Sequence, residues 1–286
     1  MQPTERRASI RGSNADIVKH YATDGLLARL ESALRDDGTD PAHPTIAALA
    51  PYDHFHGRGL EATEDLAKLH AIGPTDHLLD VGSGLGGPAR WLSARFGCRV
   101  TGIDLTSEFC AIAEHLTRLV GLDARVHFHR ANALAMPFDD ATFDGAYSMF
   151  VSMNIENKSG LYREMRRVLK PDGWLALSEV ARGTDGDVSY PMPWAATQAE
   201  SFLATVEETR TALQAAGFAV GLLRSDLERV QKFAARTRAM VERGESPPYR
   251  ANALINGQAA GTMLANIARA YQCGSLIPIE VVARAV

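Results

Sequence analysis

The chain has 286 residues, 46% hydrophobic and 22% charged, which excludes a disordered or fibrous chain and is enough for a full core. Thirty Lys and Arg against thirty-four Asp and Glu leave a net charge of -4, which argues against a broad phosphate-gripping surface for nucleic acid. Three cysteines (Cys98, Cys110, Cys273) without CxxC spacing exclude a disulfide framework and a zinc ribbon and point to a reducing, cytoplasmic compartment.

The N-terminal stretch MQPTERRASIRGSNADIVK lacks the apolar core of a secretory signal. No apolar run approaches the roughly 20 residues of a membrane span, so no membrane partner is expected. Residues 1–60 read as an N-terminal helical lid segment, broken by Pro41, Pro44 and Pro51. From about residue 77, short apolar runs alternate with segments of helical period. Strands are predicted at His77–Val81, Arg99–Ile103, Val126–Arg130, Phe143–Met149, Trp174–Val180, Phe218–Arg224 and Ile277–Ala285. Phe109, Ile112, Ala113, Leu116 and Val120 form a helical stripe that Gly121 closes, and Leu161, Met165 and Val168 form a second, closed by the turn Lys170–Gly173. Thr205 with Glu208 and Ser225 with Glu228 read as capping boxes opening two further helices. Helix then strand, repeated, means a mostly parallel α/β sheet covered on both faces. Residues 61–286 are expected to form one domain with a helical insertion at 226–274; the insertion and the N-terminal segment would be lids over the sheet's carboxyl edge, where open α/β sheets bind ligands.

The sharpest local signal is LLDVGSGLGGP, a strand ending at Val81 in a glycine loop that feeds a helix. Glycine there lets the backbone turn and lets a ligand approach without meeting a Cβ. Gly82, Gly84 and Gly87 satisfy the GxGxxG pattern, which several nucleotide-like ligands share and which also admits an NAD-dependent oxidoreductase. Asp80 would repel a pyrophosphate and favour a ligand with a cationic group, such as the α-ammonium of S-adenosylmethionine; otherwise it orders the loop through backbone N–H groups. Asp104, 24 residues on, ends the second strand, where an acid accepts both hydroxyls of an adenosine ribose or caps the following helix. Asn132 and Ala133 end the third strand, with an amide oxygen for an adenine amino group and an N–H for a ring nitrogen, or form an ordinary loop.

Taken in order and spacing, LLDVGSGLGGPARWL, VTGIDLT, RANALAMPF, FDGAYSMF and LKPDGWLALSEV resemble the class I S-adenosylmethionine-dependent methyltransferases. The resemblance runs from about residue 52 to the C-terminus. Within the class, YDHFHGRGLEAT, DLTSEFC, VSMNIENK and the closing ANIARAYQCGSLIPIEVVARAV are similar to the sarcosine and dimethylglycine N-methyltransferase-like group. The resemblance implies a Rossmann-like seven-stranded methyltransferase sheet, last strand antiparallel, with helical N-terminal and C-terminal lid segments. It implies S-adenosylmethionine as cofactor, S-adenosylhomocysteine as product, and Asp80, Gly82, Ser83, Gly84, Asp104, Leu105, Asn132, Ala133 and Ser148 as cofactor-binding residues. Two departures stand out: Asn132 replaces the group's adenine-loop acid, and Met149-Phe150 replaces Gln-His after Ser148. The second removes polar groups from the edge of the acceptor pocket.

Methyl transfer from a sulfonium is an in-line displacement that asks mainly for alignment and exclusion of water, so no catalytic triad is expected. His56 and Tyr52 are the candidate catalytic residues, as a proton acceptor or a ring walling the methyl. His54, Met149, Met153, Asn154 and Trp194 are the candidate substrate-binding residues. Asp53, His54 and His56, or His127 with His129, lack a third ligand at recognisable spacing, so no metal is expected. N-methylation of a small amine or amino acid derivative is the leading expectation, ahead of C- or O-methylation of a natural-product precursor; a non-catalytic cofactor-binding protein is the remaining alternative.

Overall fold

Strand alternation puts Leu78 and Leu79 on opposite faces of the sheet, and each seeds its own core layer. The structure, a computed structural model, describes Tyr21 and residues 25–286. Its strands are β1 (His77–Val81), β2 (Arg99–Asp104), β3 (Val126–Arg130), β4 (Phe143–Met149), β5 (Leu169–Arg182), β6 (Phe218–Ser225) and β7 (Leu276–Ala285). They form one sheet in the order β3-β2-β1-β4-β5-β7-β6, with β7 antiparallel to both its neighbours. The expected seven-stranded α/β architecture is therefore present. The sequence order reverses between β1 and β4, which opens a crevice at their carboxyl ends.

The helices are α1 (Leu26–Asp36), α2 (Ile46–Asp53), α3 (Leu60–Ala67), α4 (Gly87–Phe96), α5 (Ser107–Leu119), α6 (Lys158–Val168), α7 (Val206–Ala215), α8 (Leu227–Glu242), α9 (Ala251–Asn256) and α10 (Ala260–Cys273). On one face Leu79, Phe143 and Leu177 pack with Leu161 and Met165 of α6 and Leu213 of α7. On the other, Leu78, Val100 and Tyr147 pack with Leu92 of α4 and Leu66 of α3. A third cluster joins Leu30 of α1 and Leu49 of α2 to Phe109 and Leu116 of α5 and Ile255 of α9, so the N-terminal segment and the helical insertion share one apolar seam.

Three local expectations are corrected. The turn Lys170–Gly173 is a bulge inside β5: pairing jumps from Phe143↔Leu169 to Gly145↔Trp174, and Asp172 sits at φ 59, so the strand begins five residues earlier than predicted. Pro51 lies inside α2, in its last turn, and does not break it. The Thr205/Glu208 capping box forms, but the Ser225/Glu228 box does not, because Glu228 pairs with Lys232 one turn on. Asp226 stands at the start of α8 instead and pairs with Arg58 at 3.0 Å and Arg229 at 3.0 Å. Glu280 of β7 adds Arg224 and Arg229, so an alternating charge cluster anchors the lid helix at its N-terminal end.

Candidate active site

After β1 the chain turns through Gly82, Gly84 and Gly86, at φ 79, 52 and 78. The Gly82 and Ser83 N–H groups both donate to the Ile103 carbonyl, at 2.8 and 2.9 Å, which fastens the loop to β2. A Cβ on Gly84 would meet nothing within 4 Å, so this stretch of backbone is open to a ligand. Gly87 faces the other way: a Cβ there would lie 2.5 Å from Asp53 Oδ1 and from His54 Nδ1. The third glycine of the pattern thus permits packing of α4 against α2.

Asp80 is buried, and its Oδ2, like Ser83 Oγ, has no hydrogen-bond partner. Burial pushes its pKa up to about 7; Tyr147 beside it opposes the rise and the nearby Asp104 adds to it. A buried acceptor left open beside an exposed glycine backbone fits a cationic ligand group. The carboxyl is ionised only above about 7, so affinity for a ligand ammonium is expected to rise with pH, by up to about tenfold per unit below that value. Calorimetry with S-adenosylhomocysteine at pH 6 and pH 8 checks this; a flat profile removes Asp80 from an ammonium site.

Asp104 accepts N–H bonds from Gly84 at 2.9 Å and Thr106 at 2.8 Å, so it orders both the glycine loop and the start of α5. A carboxylate has about four lone-pair sites, which leaves room for ribose hydroxyls. Asp104→Ala is expected to weaken cofactor affinity by about 1.5–3 kcal/mol, read by calorimetry. Asn132 Oδ1 accepts the Leu134 N–H at 2.9 Å and shapes the loop that presents Ala133. Together with Gly82 and Leu105, these residues line one end of a cavity of about 1030 Å³.

Rings and thioethers line the same cavity: Phe55, Met149, Phe150, Met153 and Trp194, with Phe233 and Tyr271 from α8 and α10. Asn154 ties three segments there. Its Nδ2 donates to the Trp194 carbonyl at 2.7 Å, and its Oδ1 accepts the Tyr21 hydroxyl at 3.2 Å.

Of the sequence candidates, Met149, Met153, Asn154, Trp194 and the loop residues come together in this cavity, and four do not fit as read. Tyr52 turns away: its hydroxyl donates to Asp37 at 2.8 Å and its ring lies 4.5 Å under the Arg250 guanidinium, so it ties α2 to the lid. His54 lies behind the wall, its Nδ1 held 2.7 Å from Asp53, whose other oxygen accepts from the buried Arg90 at 2.8 Å. Ser148 spends its hydroxyl on the Val81 carbonyl at 3.1 Å, within the sheet. His56 does line the cavity, but burial first, then the charge of His54, depresses it to about 3, and its nitrogens already face the Gly57 carbonyl and Thr63 hydroxyl at 3.3 Å. It stays neutral and is a poor proton acceptor at neutral pH. Among the described residues, no three His, Cys, Asp or Glu side chains converge on a metal position, and no helix is long and apolar enough to cross a membrane.

Sequence reading missed Tyr21 and the cavity face of α8, where Val230, Phe233, Ala234, Thr237 and Val241 recur at helical spacing. That stripe was visible as a period; which side it faced was not.

Residues 79–177 match the family model described as a methyltransferase domain. The methyltransferase GfsG of Streptomyces halstedii is 35% identical over 132 residues, 46% of this chain and 48% of that protein. The 24-methylenesterol C-methyltransferase 2 of Oryza sativa subsp. japonica is 42% identical over 110 residues, 38% of this chain and 30% of that protein. The chain thus spans less than half the length of these curated relatives. Among solved structures, a geranyl diphosphate C-methyltransferase from Streptomyces coelicolor A3(2) superposes with a TM-score of 0.68 at 20% identity, over 96% of this chain and 98% of that one, a likeness of fold.

Proposed function

We propose, from the match of residues 79–177 to a methyltransferase domain, that the chain transfers a methyl group from S-adenosylmethionine to carbon or oxygen of a large, mainly apolar small molecule. The cavity carries this reading. At about 1030 Å³ it lies at the upper end of ligand pockets, and its lining is mainly apolar, with the rings of Phe55, Phe150, Trp194, Phe233 and Tyr271 among aliphatic side chains.

When bound, S-adenosylmethionine supplies an already activated sulfonium methyl. Asp80 and Ser83 would hold its ammonium end, Asp104 the ribose and Ala133 the adenine edge. Phe150, Met153 and Trp194 would then exclude water and align the acceptor, and the Phe150 and Trp194 rings would face the positive charge of the reacting centre. A glycine-derived amine would bring a carboxylate into this chamber and need a free cation there. Arg58 is already paired with Asp65 and Asp226, and Arg250 with Asp37. The apolar lining, rather than the want of a cation, favours the apolar acceptor over the small amine. Arg238, which also lines the cavity, favours a second reading in which the apolar acceptor ends in an anionic group.

The test is transfer of labelled methyl from S-adenosylmethionine to a panel of sterols, prenyl and phenolic compounds, with and without an anionic end, beside sarcosine and dimethylglycine. Transfer to the apolar set with the amines refused is the expected result. Transfer to the amines alone would overturn the acceptor class. Binding of S-adenosylhomocysteine without transfer to any compound would point to a cofactor-binding protein without turnover.

A further inference from the structure

The loop after β4 is under unusual tension for so short a segment. Phe150 sits at φ 60, Val151 follows, and Ser152–Asn154 form a single 3₁₀ turn. On one side Val151 presses on the glycine loop, where a Cβ on Gly82 would lie 2.2 Å from Val151 Cγ2. On the other side Met153 and Asn154 form the acceptor wall. The position of this loop therefore sets the distance between cofactor and acceptor.

Two charged side chains hold it from beneath. Glu179 of β5 is 2% exposed and takes the Ser152 N–H on both oxygens, at 3.2 Å, with the Val151 N–H at 3.4 Å. Lys158, at the start of α6, donates to the carbonyls of Ser152 at 2.7 Å, Ile155 at 2.5 Å and Phe202 at 2.5 Å. The carboxylate gathers the loop's N–H groups and the ammonium gathers its carbonyls. We infer that Glu179 and Lys158 are a positioning pair that clamps the backbone of residues 151–155 and so fixes the acceptor wall against the cofactor loop.

Neither side chain lines the cavity, so neither is a catalytic residue. A carboxylate accepts N–H bonds on both oxygens only when ionised; protonation turns one oxygen into a donor and repels an N–H. Burial raises the Glu179 pKa to about 7, against the hydrogen bonds from Ser152 and Val151 and the charge of Lys158. Burial brings Lys158 down to about 8, opposed by Glu179, Glu156 and Glu208. Tyr162 of α6 is the other titratable group facing the carboxylate, and burial and Glu179 both raise it. The clamp is thus loosened below about pH 7, where Glu179 takes up a proton, and again above about 8, where Lys158 loses one.

The decisive experiment is amide hydrogen exchange across residues 150–155, corrected for the intrinsic pH effect, in the wild-type chain and in Glu179→Gln and Lys158→Gln. It needs no acceptor and no turnover. The wild type should gain about tenfold protection at Val151 and Ser152 between pH 6 and pH 8. Glu179→Gln should abolish that step. Lys158→Gln should move its midpoint to higher pH, because the neighbouring positive charge is gone. A buried acid whose folded pKa is raised contributes stability that is fully present below its unfolded value and is lost as pH rises through the folded one. Glu179→Gln should therefore melt no lower than the wild type at pH 8 and bind S-adenosylhomocysteine within about threefold of it. Absence of the step in the wild type, its persistence in Glu179→Gln, or loss of melting temperature together with cofactor binding would each overturn the clamp. The relevance to acceptor geometry rests on the methyltransferase reading: a wild type that binds no S-adenosylhomocysteine refutes that reading, while the exchange step still decides the clamp.

Discussion

Arg90→Met is expected to destabilise the protein by about 3–5 kcal/mol, the largest effect of any single substitution considered for this chain. Arg90 is fully buried. Its guanidinium donates to Asp53 at 2.8 Å, to the carbonyls of Leu85 and Ala113 at 2.5 and 3.1 Å, and to Thr117 at 3.1 Å. Those bonds join α2, the glycine loop and α5. Methionine fills similar volume but strips the buried Asp53 of its guanidinium, leaving it only His54, and the carbonyls lose their donor. Chemical denaturation reads the loss directly. The double variant Arg90→Met/Asp53→Asn should recover part of it by removing the stranded carboxylate, and recovery of nothing would mean that packing, not charge, dominates. A single-variant loss below about 1 kcal/mol would show that water reaches Asp53.

Gly82→Ala is expected to cost at least about 2–3 kcal/mol of cofactor affinity, roughly 30- to 150-fold in Kd. Two causes add. Gly82 sits at φ 79, where an L side chain is strained, and the new Cβ would lie 2.2 Å from Val151 Cγ2 and 2.9 Å from Cγ1. Valine is stiff at χ1, so the clash moves the loop backbone and not just a side-chain tip. Calorimetry with S-adenosylhomocysteine measures the loss. Adding Val151→Ala should return the part owed to the clash and leave the part owed to φ; no recovery would place the whole effect in the backbone of the glycine loop.

The sheet was readable because its strands combine period-2 apolar runs with sharp glycine and proline punctuation, and the boundaries of six strands shift by at most one residue from the observed ones. β5 is the exception: Lys170-Pro171-Asp172-Gly173 carries every mark of a turn, yet the sheet passes it as a bulge. The glycine-loop part of the cavity lining was readable for a similar reason, since Asp80, Gly82, Gly84 and Asp104 lie at strand ends that one topology brings together. The rest of the lining was only partly so. Met153, Asn154 and Trp194 lie near a strand end or a proline turn, but Tyr52 and His54 sit on a short helix whose burial depends on Arg90 and Arg250, 38 and 198 residues beyond Tyr52. No local spacing encodes such contacts. Glu179 escaped notice because a single acid inside an apolar strand has no period; its meaning lies in the loop that folds over it.

The cavity draws its lining from inside and outside the matched segment. The glycine loop, Asp104, Ala133, Met149, Phe150, Met153 and Asn154 fall within residues 79–177, whereas Tyr21, Trp194, Phe233 and Tyr271 fall outside it. Likeness to the family model ends where much of the acceptor wall begins. On the proposed function, inheritance can treat the two as separate modules: the inserted helices can drift in sequence and exchange one acceptor for another while the glycine loop stays intact. A library confined to the cavity face of α8 and α10 would test this by changing the acceptor without loss of S-adenosylhomocysteine binding.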